Sequence, residues 1–300
     1  MKNQYFKKII VGTWSLSGDF GKVSKKNIYQ VFENSVKNNL LDFDTAPTYG
    51  KGKMHKILSE MFKNNKKIKI NTKCGYDSNY VKTFSIPDVE KSIDKSLNEF
   101  GRINTLFLHN PRNEISDWSK IFTLLAKYKK NGDILKIGIS FARVFYFSEK
   151  IINCFDYMQD EVNLLRPNNL NFLSNLKPKL MVRSPLASGC LAGKFNINTK
   201  FSKNDYRYQW LNNQKRLRNI LLQINEIKKI TGINLRTFSK FFLLQNNNID
   251  HVIFGLKNNP HIEELIYEIK NFKKIPKKKI KEIHDLALLK LNLSSDKRGY

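Results

Sequence analysis

The 300-residue sequence has few acidic side chains. It contains 26 Asp and Glu residues against 53 Lys and Arg, which gives a formal net charge of +27. Such a charge is typical of proteins that bind nucleic acid. The lysines, however, are spread over many segments, and the densest cluster, at 273–281, has few interleaved aromatic residues. We therefore interpret the charge as general lysine usage and expect no nucleic-acid partner.

Long apolar runs and paired cysteines are also lacking. No stretch approaches the roughly 20 apolar residues that span a bilayer, so we expect no membrane segment. The N-terminal run Ile9–Val11 is too short for a signal peptide. The three cysteines, Cys74, Cys154 and Cys190, are odd in number and their spacing fits no zinc or redox motif. Reduced thiols in a cytoplasmic protein without a bound metal are the simplest interpretation.

A glycine-rich phosphate-binding turn is absent as well. Gly12, Gly18 and Gly21 do not have the G-x-G-x-x-G spacing, and no P-loop occurs. What the sequence does contain is a regular alternation of short apolar runs with amphipathic segments. Eight predicted strands, nearly all followed by a helix, indicate parallel strands with right-handed crossovers. We predict an α/β fold, a (β/α)8 TIM barrel, with an open doubly wound sheet as the alternative.

No linker interrupts the alternation, so we predict a single domain over 1–300, with extra helices after strand 7 and at the C-terminus. The predicted strands are Ile9–Trp14, Leu40–Asp44, Ile68–Lys73, Ile103–His109, Ile134–Ser140, Tyr157–Asn163, Lys179–Ser184 and Val252–Gly255. The predicted helices are 24–38, Met54–Phe62, Ser85–Gly101, Trp118–Lys129, Val144–Asn153, Leu170–Leu176, Gln214–Ile230, Leu235–Asn246, Pro260–Phe272 and Lys277–Leu291.

Four side chains at three consecutive strand ends can carry out proton chemistry. Asp44, Lys73 and His109 end predicted strands two, three and four, and Tyr49 lies in the loop after strand two. In a barrel these ends meet at the rim where active sites lie. A lysine beside the tyrosine lowers the pKa of the phenol, a carboxylate holds the lysine, and a histidine can polarise a carbonyl oxygen. The set suits carbonyl reduction if a hydride donor lies alongside.

Taken singly, each of these residues also has a purely structural interpretation. Asp44 could cap a turn, Tyr49 could be a loop aromatic, and His109 could be a hydrogen-bonded strand-end residue. Lys73 is one of very many lysines. The hypothesis of an active site therefore depends on their combined placement.

Seven sequence segments, taken together and in their order along the chain, indicate a protein family more specifically than the four residues above. They are Asp42–Ala46 with Tyr49–Gly52, Asn71–Lys73, Leu106–Pro111, Lys136–Ser140, Gln159–Leu164, Ser184–Gly189 with Ala192–Lys194, and Ile253–Lys257. Over about residues 9–270 the chain resembles the aldo-keto reductase family. The resemblance implies a barrel that binds NADPH, or less often NADH, with Tyr49 as general acid assisted by Asp44, Lys73 and His109. The residues it implies for cofactor binding are Asn110, Ser140, Gln159, Arg183, Ser184, Pro185, Leu186, Gly189, Lys194, Gly255, Lys257, Asn258, His261 and Glu264.

The sequence departs from the family pattern at several cofactor contacts. Arg183 replaces an aromatic residue that stacks on the nicotinamide, and a guanidinium plane can also stack on a ring. Phe141 and Leu265 stand where asparagines are common. Met54 and His55 replace a Ser-Glu pair at the start of the second helix, which weakens its cap.

Two functional hypotheses from the resemblance remain open. The first is NADPH-dependent reduction of an aldehyde or ketone to an alcohol. The second is a cofactor-binding regulatory subunit of the same fold without turnover. The partner is a small carbonyl compound in the first case, and we expect a monomer or small homo-oligomer.

Overall fold

Eight parallel strands close into one barrel in the computed structural model, which describes residues 2–290 without 64, 113, 142–146, 168 and 273. The strands follow one another around the barrel in chain order, and the last pairs with the first. The predicted TIM barrel is confirmed, and the doubly wound alternative is wrong. The strands are β1 (Ile9–Gly12), β2 (Asp42–Asp44), β3 (Lys69–Cys74), β4 (Ile103–His109), β5 (Ile134–Ser140), β6 (Tyr157–Glu161), β7 (Lys179–Arg183) and β8 (His251–Gly255).

Helices surround the barrel and bury their apolar faces against it. Their sequence-encoded ends are visible in α4, where the Ser85 side chain accepts a hydrogen bond from the Asp88 backbone N–H and Gly101, at φ 76°, ends the helix. The described helices are α1 (Lys2–Phe6), α2 (Lys25–Lys37), α3 (Lys53–Phe62), α4 (Ile86–Phe100), α5 (Trp118–Lys130), α6 (Glu149–Ile152), α7 (Asn169–Leu173), α8 (Tyr208–Leu211), α9 (Gln214–Thr231), α10 (Leu235–Leu244), α11 (Asn259–Asn271) and α12 (Lys277–Lys290).

Several predicted bounds differ from the structure. The helix predicted at Val144–Asn153 contains only the single turn of α6, because the Ser148 side chain caps the helix there; residues 144–146 of that prediction lie outside the described part. Strand β1 ends at Gly12, and Trp14 begins a 3-10 helix. The N-terminal helix α1 was not predicted, because five residues are too few to display a helical period. The two extra helices predicted between β7 and β8 are confirmed as α9 and α10, whereas the one-turn helix α8 lies in a segment that was predicted to be a connection.

The barrel interior is closed below the rim by a separate apolar cluster of Ile10, Phe107, Met181 and Ile253. Gly138 leaves space for this apolar cluster, since a Cβ atom there would lie 2.5 Å from the Phe107 ring. The candidate site lies at the carboxyl-terminal ends of the strands, as in other barrels of this kind. The register places those ends side by side, with His109 opposite Ser140 and Ser140 opposite Gln159.

Candidate active site

A buried ion pair between Lys73 and Asp44 forms the centre of the site. The Lys73 Nζ atom donates to both carboxylate oxygens of Asp44, at 2.8 and 2.9 Å, and to the Thr45 carbonyl at 2.9 Å. Both side chains are almost completely buried. Burial has the largest single effect and would lower the pKa of the lysine, but Asp44 and Tyr49 together outweigh it, and the pKa is raised. Lys73 is therefore held as a fixed cation below the rim.

Tyr49 lies directly over this cation. Its ring centroid is 5.0 Å from the Lys73 Nζ atom, and its other face stacks on the Trp14 indole at 5.8 Å. The loop that positions it turns at Gly50, where φ is +58° and a Cβ atom would lie 2.8 Å from the Ser17 carbonyl oxygen. Burial raises the pKa of the phenol, and the opposing effect of Lys73 is smaller. Lys73 therefore lowers the pKa of Tyr49 as expected, but burial raises it by more. The hydroxyl stays protonated at neutral pH.

His109 packs beside Tyr49 at the end of β4. The ring centroids of His109 and Tyr49 are 6.3 Å apart at 85°, and Tyr76 covers His109 from another side at 5.3 Å. Burial, then the cations of Lys73 and Arg183, lower the pKa of His109 well below 6.5. The imidazole is therefore neutral at neutral pH. Its buried Nδ1 atom has no hydrogen-bond partner among the described residues.

A chain of amide and hydroxyl groups extends from the ion pair across the rim. Gln159 Nε2 donates to Asp44 Oδ2 at 2.9 Å. The Ser140 hydroxyl lies 3.3 Å from both Gln159 Oε1 and Asn110 Oδ1, so its single proton can serve either oxygen. Asn110 has φ 53°, which an asparagine tolerates better than most residues. The three predicted nicotinamide contacts thus form one network with Asp44.

Arg183 occupies the next position on the rim, at the end of β7. Its Nη2 atom donates to the Phe141 carbonyl at 2.8 Å, and its guanidinium lies 3.5 Å from Glu161 Oε2 and 4.0 Å from Asp160 Oδ1. Burial raises the pKa of Asp160 to about 6, although Arg183 opposes the shift. Arg166 approaches the same Glu161 oxygen at 3.4 Å. Arg183 is therefore fixed by carboxylates and a carbonyl on the side away from the cavity.

A cavity of about 280 Å³ connects this rim with the start of α11. Asn258 caps α11 by accepting from the His261 backbone N–H. Free N–H groups at such a helix start, together with Lys257 beside it, are suited to a phosphate group. Burial, and next the Arg207 cation, lower the pKa of Lys257. Lys257 Nζ donates to the Phe20 carbonyl at 2.6 Å.

The predicted site residues divide into two groups by their relation to this cavity. Thirteen line it, namely Asp44, Tyr49, Gln159, Arg183, Ser184, Pro185, Leu186, Gly189, Lys194, Gly255, Lys257, His261 and Glu264. Five do not, namely Lys73, His109, Asn110, Ser140 and Asn258. The latter five nevertheless hold or neighbour cavity residues: Lys73, Ser140 and Asn110 through the hydrogen bonds above, His109 through Tyr49, and Asn258 as the cap of α11.

Three cations in the cavity wall were missed by sequence reasoning. Arg207 pairs with Asp205 at 2.6 Å and lies over the rings of Phe20, Phe195 and Phe201. Arg236 and Lys240, on α10, also line the cavity. No motif marks these residues in so basic a sequence, and only the fold brings α10 and the connection after β7 to the same cavity.

At the departures from the family pattern, new contacts replace the expected ones. His55 is buried in α3, where its Nδ1 atom lies 2.7 Å from Glu99 and its Nε2 atom 2.8 Å from the Thr72 hydroxyl. As expected, no side chain caps α3; its N-cap is Gly52. Phe141 and Leu265 are fully buried, and Leu265 presents an apolar surface to the cavity.

Comparison with known families decides between the classes of barrel protein. A sequence model of the aldo/keto reductase family matches residues 8–287. The chain belongs to the aldo-keto reductase family. It is accordingly an NAD(P)H-dependent oxidoreductase that acts on carbonyl and alcohol groups.

Solved structures of other aldo-keto reductases have the same fold at low sequence identity. A glycerol dehydrogenase from Gluconobacter oxydans is 20% identical, with a TM-score of 0.76 over 96% of this chain and 94% of that chain. An aldo-keto reductase from Bacillus halodurans, in its holo form, is 16% identical, with a TM-score of 0.77 over 97% and 95%. No curated protein sequence matches the chain. At these identities the similarity shows the fold alone.

Two kinds of feature are absent from the part of the chain that the structure describes. No group of three or more His, Cys, Asp or Glu side chains there is placed to hold a metal ion. None of the helices in that part of the chain is sufficiently long and apolar to cross a bilayer.

Proposed function

We propose that this aldo-keto reductase reduces an aldehyde or ketone with NADPH, using Tyr49 as the general acid. The observation that carries the proposal is the Lys73 ammonium, which is bonded to both oxygens of Asp44 and lies 5.0 Å from the centre of the Tyr49 ring. Structural lysines are rarely buried in this way. A fixed cation here stabilises the phenolate that forms when the tyrosine gives up its proton.

The roles of the four residues follow from their protonation states. A nicotinamide cofactor held by Gln159, Ser140 and Asn110 would supply the hydride for the carbonyl carbon. Tyr49, protonated at neutral pH, donates its hydroxyl proton to the carbonyl oxygen, and Lys73 stabilises the resulting phenolate. Asp44 holds Lys73 in position. Neutral His109 can donate a hydrogen bond to the same carbonyl oxygen without competing as an acid.

The cavity suits an extended dinucleotide with a phosphate on its adenosine end. Lys257, His261 and Lys194 line that end, beside the start of α11. Glu264 would repel a phosphate, but it is neutralised by Arg236 at 2.6 Å and Lys240 at 2.8 Å. The excess of cations favours the 2′-phosphate of NADPH over the free ribose of NADH. Gln159, Ser140 and Asn110 would hold the carboxamide at the other end.

The regulatory subunit is the alternative, and the charge arrangement argues against it. A subunit that only binds cofactor has no need of a buried lysine–carboxylate pair, which costs desolvation free energy. The substrate is a small carbonyl compound, and nucleic acid has no proposed role. We infer a cytoplasmic location from the cysteines Cys74, Cys154 and Cys190, all free. We propose that the chain acts as one domain, as a monomer or small homo-oligomer.

The test begins with a fluorescence titration of NADPH and NADH and continues with cofactor oxidation by a panel of aldehydes and ketones. Tyr49→Phe should reduce turnover at least about 10³-fold while cofactor affinity changes little, because only the proton donor is lost. Tyr29→Phe is the matched control, since Tyr29 bonds the surface residue Glu60. If the Tyr49→Phe variant keeps its turnover, Tyr49 is not the general acid. Binding without turnover in the wild type would instead support the regulatory subunit.

A further inference from the structure

Arg183 is the only member of a four-charge cluster that lines the cavity. The cluster consists of Arg183, Arg166, Asp160 and Glu161, joined by the ion pairs described above. The two carboxylates and Arg166 do not reach the cavity wall, whereas Arg183 lines it together with Tyr49 and Gln159. A group in this part of the cavity therefore meets the guanidinium first and the compensating carboxylates behind it.

The charge of Arg183 is also effective at the reacting centre. It shifts the pKa values of Tyr49 and His109 downward, so its field extends across the rim. The side chain is held by the Phe141 carbonyl and by Glu161, which fixes the guanidinium in place. A fixed charge in a site shielded from water acts on neighbouring charges more strongly than it would in solution.

The two oxidation states of a nicotinamide differ by one charge at the ring. The reduced ring is neutral, and hydride transfer leaves a ring with a positive charge. An aromatic side chain beside the ring stabilises a cation through its π electrons. A guanidinium can stack on the ring in the same way, but it repels the cation. Replacement of an aromatic residue by Arg183 therefore changes the relative affinity for the two oxidation states.

We propose that Arg183 makes the site discriminate between oxidation states of the cofactor, so that it binds reduced nicotinamide more tightly than oxidised nicotinamide. The inference rests on the proposed function, since it requires the nicotinamide to lie in the cavity near Tyr49. Weak binding of the oxidised product cofactor speeds its release after each reductive turnover. The same repulsion makes the hydride transfer step less favourable. Arg183 is thus a positioning and electrostatic residue that sets which cofactor form occupies the enzyme.

The test is a pair of direct titrations, with NADPH and with NADP⁺, monitored by calorimetry in the absence of substrate. In the wild type, the Kd for NADP⁺ should exceed the Kd for NADPH. In Arg183→Gln the ratio of the two constants should fall about tenfold, which corresponds to about 1.4 kcal/mol. Arg183→Lys keeps the positive charge but loses the planar guanidinium group. In this variant the ratio of the two Kd values should stay close to that of the wild type.

Arg166→Gln is the matched control. Arg166 contacts the same Glu161 oxygen but does not line the cavity, so its loss should leave the ratio within about twofold of the wild type. If Arg183→Gln folds poorly because Glu161 loses one of its cationic partners, the double variant Arg183→Gln/Glu161→Gln removes both charges and should show the same fall in the ratio of the two Kd values.

Three outcomes are decisive against the inference. An unchanged ratio in the folded Arg183→Gln protein or in the double variant would overturn it, and the proposed function would stand. An equal fall in Arg166→Gln would assign the effect to loosening of the cluster and would also overturn it. If the wild type bound neither cofactor form, the proposed function itself would fail, and the inference with it.

Discussion

Gln159 Nε2 donates a 2.9 Å hydrogen bond to Asp44 Oδ2, the carboxylate that also holds Lys73. The amide predicted to recognise the nicotinamide carboxamide is thereby bonded directly to Asp44, which holds Lys73 beside the proposed proton donor Tyr49. Both side chains are buried, so neither can replace the other's bond with water. Cofactor recognition and the position of Lys73 are consequently coupled through one carboxylate.

This coupling predicts that Gln159→Leu affects chemistry as well as binding. Loss of the amide leaves a buried Asp44 oxygen with one fewer donor, at a cost of about 1–3 kcal/mol. We expect a lower kcat in addition to a higher Kd for NADPH, each by about tenfold or more. Ser140→Ala, which touches Gln159 but not Asp44, should raise the Kd and leave kcat nearly unchanged. Equal effects of the two variants on kcat would disprove the coupling.

Removal of one member of the Lys73–Asp44 pair should destabilise the fold strongly. In Asp44→Asn the ammonium remains buried without its counter-charge, which typically costs about 3–5 kcal/mol. The double variant Asp44→Asn/Lys73→Met removes both charges and should recover most of that loss, while turnover stays absent. Urea unfolding measures the first effect, and NADPH oxidation measures the second. A double variant no more stable than Asp44→Asn would contradict the assignment of the loss to an unpaired charge.

The protonation states predict the pH profile of carbonyl reduction. Because burial raises the pKa of Tyr49, the phenol remains protonated and able to donate well into the alkaline range. Because the pKa of His109 lies well below 6.5, the imidazole does not titrate near neutrality. We expect kcat/KM for reduction to be flat between about pH 6.5 and 9. A bell-shaped profile centred near pH 7 would show that one of these assignments is wrong.

The fold, and the proximity of Asp44, Tyr49, Lys73 and His109, could be predicted from the sequence because the underlying patterns are local; the catalytic roles of these residues stay a prediction. The strand from Ile103 to His109 has the same bounds in sequence and structure, since an apolar run ends there at Pro111. A strand end also fixes where a side chain lies in a barrel, so Asp44, Lys73 and His109 could be placed together.

Long-range relationships could not be predicted in this way. The contact of Gln159 with Asp44 joins residues 115 positions apart, and the anchoring of Arg183 by Phe141 depends on the barrel order, in which β6 pairs with both β5 and β7. The direction of the pKa shift of Tyr49 depends on how deeply the ring is buried, which no motif records. The positions of Arg207, Arg236 and Lys240 in the cavity wall depend on how α10 and the connection after β7 pack against the barrel. In a chain with 53 Lys and Arg residues, composition could not distinguish them.

Cofactor preference should depend on Lys257. Its ammonium is among the cations that line the part of the cavity proposed to hold the adenosine, and a charge-assisted bond to a phosphate contributes more than a neutral one. We expect Lys257→Ala to weaken NADPH binding about tenfold or more and NADH binding less than about threefold. Lys200→Ala, on the same connection as Lys194 but outside the cavity, is the control for loss of general positive charge. If Lys257→Ala weakened the binding of NADPH and NADH equally, Lys257 would not contact the 2′-phosphate.

Asp42 supplies a prediction for stability that is independent of catalysis. Burial raises the pKa of its carboxyl from 3.8 to about 7, and the hydrogen bond from Asn71 only partly opposes this. A raised pKa means that the folded state prefers the neutral acid, so its contribution is fully present below about pH 4 and is lost as the pH rises through about 7. Asp42→Asn keeps an oxygen for the Asn71 donor and removes the titration. We expect it to stabilise the protein by about 1–3 kcal/mol at pH 8 and by clearly less at pH 5, as measured by urea unfolding. The exposed residue Asp285 gives the control variant Asp285→Asn, and a gain from Asp42→Asn that is the same at both pH values would refute the assignment.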